Sequence, residues 1–128
     1  MPARESLYSD DWFRIAAQDL VRVGKRLAEG DNEDAAFHLQ QAVEKYLKGF
    51  LLSHGWALKR THDASALLTE AVRYERRLER FRSLCRQVSS YYLIERYPIL
   101  EEEPETSELR AAYRAAQTLA RALMSGAR

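Results

Sequence analysis

The chain has 128 residues, a length that suits one domain with its own hydrophobic core. Its composition, 46% hydrophobic and 30% charged, fits neither a disordered chain nor a membrane protein. A net charge of +1 argues against a global electrostatic grip on nucleic acid, which needs concentrated Lys and Arg, although a local basic patch is compatible with it.

Gly and Pro are scarce, and Ala, Leu, Glu, Arg and Gln dominate, all of them helix formers. The expectation is an all-α, up-and-down antiparallel bundle of four long helices plus a short one, spanning residues 9–124 as a single domain between flexible tails. The one cysteine, Cys85, permits no internal disulfide and suits a reducing cytoplasm. The N-terminal MPARESLYSDDW lacks the apolar run of a signal peptide. No stretch approaches the roughly 18 apolar residues of a membrane span. A cytoplasmic protein without a membrane partner is therefore expected.

Ser9, Asp10 or Asp11 is positioned to cap a first helix, with acidic charge at its positive end. Trp12, Ala16, Leu20, Val23 and Leu27 recur at helical spacing, and Gly30 ends the run. Asp31 starts a second helix that runs to about His54 and stops at Gly55. Its core stripe is Ala36, Leu39, Val43, Tyr46 or Leu47, and Phe50. Thr61 or Asp63 caps a shorter third helix carrying Ala66, Leu67, Ala71 and Val72. A fourth helix begins near Glu75, with Leu78, Phe81, Cys85, Val88 and Tyr92 inward, and Pro98 stops it. Thr106 or Ser107 caps the last helix, with Leu109, Ala112, Tyr113, Ala116, Leu119 and Leu123 inward.

Several polar residues break this pattern. On a helical wheel Phe37, Gln40, Glu44, Leu47 and Leu51 share a stripe flanking the main apolar face. Gln40 and Glu44 therefore sit among apolar neighbours, where burial is costly without partners. They read either as a satisfied structural pair or dimer contact, or as the lining of a ligand groove. His38, Gln41, Lys45 and Lys48 form a second stripe, read as a solvated face or as a positive strip for a phosphate or an acidic partner. Thr61-His62-Asp63 at a helix start reads as a cap or as an anion site, with His62 donating to phosphate. Extending the fourth helix's stripe puts Arg96 inward at the helix end, facing Glu44 or a phosphate. Tyr97 reads as core or as a stacking platform for a base. The acidic run Glu101-Glu102-Glu103 with Glu105 reads as a solvated loop. The three histidines lack ligand spacing on a common face, so neither metal nor cofactor is expected.

These segments, in this order, resemble the HEPN domain family. The matching pieces are Trp12 with Ala17-Gln18-Asp19-Leu20, then His38-x-Gln40-Gln41-Ala42-x-Glu44-Lys45-x-Leu47-Lys48, then Thr61-His62-Asp63 and Arg96-Tyr97-Pro98. The resemblance implies a helical bundle that forms a homodimer, works beside a nucleotidyltransferase partner in toxin–antitoxin-like pairs, and associates with nucleotides or RNA. Catalytic members are metal-independent ribonucleases with an Arg followed, after four to six residues, by a His. There the His moves a proton during 2′-hydroxyl attack and the Arg steadies phosphate charge. Counting from Arg96, those positions are Glu101, Glu102 and Glu103, so this sequence departs from the ribonuclease pattern. The expected reading is a noncatalytic nucleotide- or RNA-associated module that binds through Gln40, Glu44, Lys48, His62, Asp63, Arg96 and Tyr97. The alternatives are a ribonuclease toxin with an atypical site, His62 being brought near Arg96 by folding, and a purely structural dimeric subunit.

Overall fold

The computed structural model describes residues 7–57, 61–96 and 104–126, the side chains of residues 92–96 apart. Its helices are α1 (Ser9–Ala28), α2 (Asn32–Ser53), α3 (Ala64–Val72), α4 (Arg82–Arg96) and α5 (Thr106–Gly126), with a 3-10 helix, Arg76–Phe81, leading into α4. The fold is an all-α bundle. Among the described residues no helix is long and apolar enough to cross a membrane.

Local chemistry sets most boundaries. The Asp31 carboxylate accepts from the Asp34 amide and caps α2, and Asp63 does the same for Ala66 at the head of α3. These bonds satisfy amides that the first helical turn leaves unpaired. Gly30 and Gly55 follow the ends of α1 and α2 with φ of 76° and 83°, the left-handed conformation that reverses the chain at little cost for glycine. The start of α1 differs from expectation. Tyr8 occupies its N-cap position without a side-chain bond, and Ser9 is already helical. Asp10 and Asp11 lie inside the first turn, where they complement the helix dipole rather than cap it.

Pairings along the helices show how they run. Phe13 meets Tyr46, Asp19 meets His38 and Lys45, and Arg26 meets Asp34, so α1 and α2 are antiparallel. The Ala64 amide donates to Ser89 Oγ, while Arg82 reaches the Ser65 carbonyl and Thr69 Oγ1, which sets α3 antiparallel to α4. Buried Asn32 donates to the Pro104 carbonyl and to Thr106 Oγ1, joining the heads of α2 and α5.

Helix α2 touches α1, α3, α4 and α5 and is the central element. It is buried almost all round, with Leu39, Ala42, Val43, Tyr46, Leu47, Phe50 and Leu51 all in the core. Its central place is what carries Gln40, Glu44 and Lys48 out of water.

Three expectations about packing change. Ala66 is exposed, and Leu68 is buried instead, together with Ala64, Leu67 and Ala71. The α3 face is rotated because Ala64 and Leu68 are the pair, four residues apart, that meets the bundle. The segment after Glu75 forms a 3-10 helix before α4, with the Glu75 side chain accepting from the Arg77 amide. Finally, the stripe of His38, Gln41, Lys45 and Lys48 is not a solvated face, as its partners on α1 show below. The readings that rest on Tyr92, on the Arg96 side chain, on Tyr97 and Pro98 and on the run Glu101 to Glu103 fall outside the described residues.

Candidate functional site

Two buried carboxylates organise the polar residues of α2. On one flank Glu44 is 3% exposed. Its Oε1 accepts from Gln40 Nε2 at 2.8 Å, and its Oε2 lies 3.4 Å from His62 Nδ1. The Gln40 oxygen accepts from Gln41 Nε2 at 3.2 Å, so both ends of this buried amide are engaged. Burial raises the Glu44 pKa above the usual carboxylate range, and the His62 charge, the Gln40 hydrogen bond and the Lys48 charge only partly oppose it.

His62 sits just before the Asp63 cap of α3, and its side chain is 52% exposed. The buried carboxylate therefore orients an imidazole that solvent reaches. Lys48 is buried, with Nζ 5.3 Å from the centre of the Trp12 ring, a cation–π distance. It contributes charge to Glu44 without a direct bond and does not project into solvent. Asp63 is exposed, and its carboxylate is used by the Ala66 amide, so the cap explains this residue locally.

Folding thus brings Gln40, Glu44 and His62 into direct contact and Lys48 close to them. It leaves Asp63 on the helix head. Arg96 ends α4, but the pairing of its side chain with Glu44, expected from the sequence, lies outside the described residues, as does Tyr97.

On the other flank the carboxylate is Asp19, also 3% exposed. His38 Nδ1 lies 2.9 Å from its Oδ1, Lys45 Nζ lies 2.7 Å from its Oδ2, and Arg22 lies 3.7 Å away. Asp34 extends the cluster, 3.4 Å from His38 Nε2 and hydrogen bonded by Arg26 Nε at 2.7 Å. His38 and Lys45 are therefore tied to α1. A helical wheel of α2 alone made them look solvated. Asp19 itself carried a signal: it lies three residues after Ala16 and four before Val23, on the inward face of α1.

Cys85 is buried, which pushes its thiol pKa up to about 12 and removes it as a nucleophile. Among the described residues no three His, Cys, Asp or Glu side chains converge as a metal-binding set.

A family model described as the HEPN domain matches residues 9–126. This chain belongs to the HEPN domain family. Two solved structures share the fold. One is ST0689, described as an archaeal HEPN homologue, with 24% identity and a TM-score of 0.75 over 94% of this chain and 98% of that one. The other is TT1696 from Thermus thermophilus, with 26% identity and a TM-score of 0.76 over 92% of this chain and 97% of that one. No curated protein gives a significant match. Within this HEPN bundle, the central helix and the head of α3 supply the polar cluster.

Proposed function

We propose that this HEPN protein is a noncatalytic module that binds a nucleotide or RNA phosphate at the head of α3, as a homodimer working with a nucleotidyltransferase partner in a toxin–antitoxin-like pair. One observation carries the ligand-binding reading. The buried Glu44 carboxylate holds a half-exposed imidazole, His62, at a helix N-terminus. A carboxylate this deeply buried is costly to keep, and a costly polar group beside an accessible one marks a site more often than a scaffold. The helix head and an imidazolium both favour an anion. The dimer and the partner protein follow from family membership alone.

The test is a thermal-shift screen of the full chain against nucleotides and short RNAs. A ligand of the native state raises Tm by mass action, by about 2.7 kcal/mol of stability at a hundredfold excess over Kd. The rise is expected to vanish in His62→Ala and in Arg96→Ala, both still folded. No rise with any of these ligands would overturn the reading.

The same contact favours a second reading. An imidazole oriented by a buried carboxylate is equipped to move a proton, so His62 is suited to general acid–base work in RNA cleavage. Cleavage of single-stranded RNA that is lost in His62→Ala would replace the noncatalytic reading. Absence of cleavage would retain it.

A further inference from the structure

A second positively charged site lies between α1 and α5, and none of its residues belongs to the Gln40–Glu44–His62 cluster. A cavity of about 330 Å³ is lined by Gly24, Leu27 and Ala28 of α1 and by Arg110, Tyr113, Arg114 and Gln117 of α5. That volume is at the low end for small-ligand pockets. No carboxylate is among these lining residues.

The two arginines stand out against the rest of the chain. Arg22, Arg26, Arg73, Arg77 and Arg82 all have acidic partners within 4 Å. Arg110 and Arg114 have no side-chain hydrogen bond or ion pair among the described residues. They are one helical turn apart, so their charges repel on the same face of α5. An anion between them would relieve that repulsion, and the guanidinium fork matches phosphate in bidentate geometry.

The floor of the cavity is apolar and shaped by a missing side chain. A Cβ at Gly24 would come within 2.9 Å of the Tyr113 hydroxyl. Glycine at this position lets the Tyr113 phenol lie across α1. The remaining wall is Leu27 and Ala28, with the Gln117 amide on the far side as a further polar group.

We infer that this cavity binds a phosphate-bearing ligand of mononucleotide size, its phosphate held by Arg110 and Arg114 and its remainder resting on Leu27, Ala28 and Tyr113. The phosphate can come from a free nucleotide or from an RNA backbone. The inference stands apart from the His62 site, because the two share no residue.

The experiment is an NMR titration of the isotope-labelled full chain with inorganic phosphate, adenosine 5′-monophosphate and a short single-stranded RNA. Saturable amide shifts are expected at Gly24, Leu27 and Gln117. The variant carrying Arg110→Ala and Arg114→Ala is expected to bind about tenfold or more weakly, while His62→Ala leaves these shifts unchanged. Both arginines are exposed, so the double variant keeps the fold. Tighter binding of the monophosphate than of the RNA assigns the site to free nucleotides, and the reverse order assigns it to RNA. No shift at these amides with any of the three probes overturns the inference. So do shifts that persist unweakened in the double arginine variant.

Discussion

Replacing Glu44 by glutamine keeps the shape of the side chain and removes its charge. The new amide oxygen can still accept from Gln40 Nε2, the bond now 2.8 Å long. What disappears is the cost of holding an anion in a nearly inaccessible position. Burial dominates the environment of Glu44 and raises its folded pKa above the ordinary 4.5. The native state therefore holds the proton more tightly than the unfolded chain. For a raised acid, the stabilising contribution is fully present below the unfolded pKa and is lost as pH rises through the folded one. At neutral pH the charged form is carried at a net cost, and Glu44→Gln removes it.

Neutral replacements of buried charge pairs range from no effect to about 1–4 kcal/mol of stabilisation. The direct ionic partner, His62, is half exposed and loses little when left alone, so a gain of ~1 kcal/mol is expected. For a chain of this length that is roughly 3–5 °C in Tm. Asp19→Asn is the matched control. Asp19 is equally buried but is met by Lys45 at 2.7 Å, His38 at 2.9 Å and Arg22 at 3.7 Å. Neutralising it strands those groups. Full burial of the stranded cation would cost about 3–5 kcal/mol. Lys45 and Arg22 reach solvent, so about 1–3 kcal/mol is expected. Urea unfolding of both variants at neutral pH, and of Glu44→Gln again below pH 4.5, reads these differences. The reasoning fails if Glu44→Gln destabilises as Asp19→Asn does, or if its gain persists undiminished below the unfolded pKa. On the proposed function, the stabilised variant also loses its response to nucleotide, the usual trade between stability and a costly site.

Two glycines in helices should answer alanine differently. A Cβ at Gly49 would meet the Phe13 ring at 2.8 and 2.9 Å and the Ser9 carbonyl oxygen at 3.2 Å, whereas at Gly24 the closest atom is the Tyr113 hydroxyl, the tip of a side chain that can move. Helix propensity favours alanine by about 1 kcal/mol at both sites, but overpacking costs about 1–3 kcal/mol at Gly49, so only Gly49→Ala should lower Tm. The caps can be tested by Asp31→Ala and Asp63→Ala, each expected to cost about 1 kcal/mol in calorimetry. The Asp63 variant should also loosen the head of α3, visible as faster amide exchange at Ala66. The Cys85 thiol is expected to resist a thiol-specific reagent in the native state and to react at once in denaturant; fast native labelling would contradict its burial.

The helices and their punctuation were legible because they rest on local chemistry. Asp31 and Asp63 cap within one turn, and Gly30 and Gly55 reverse the chain where they stand. Periodicity marked the faces that meet, and it misplaced α3 only where Ala66 and Leu68 compete for the inward position. The anomaly of Gln40 and Glu44 was equally visible, since two polar residues on an apolar stripe need partners. Their pairing with each other is a contact between residues four apart, and a helical wheel shows it directly.

What a wheel cannot show is the neighbour across the interface. His38 and Lys45 look solvated on α2 alone, and Asp19 on α1 turns them into a buried ion cluster. His62 reaches Glu44 only because α3 packs against α2, and the unpaired Arg110 and Arg114 become a cavity wall only once Gly24 and Leu27 lie opposite. The amino-acid order by itself determined the helices, their ends, the family and the residues out of place. The tertiary structure alone decided which carboxylate meets which cation, because burial and charge pairing depend on side chains brought together from distant points of the chain.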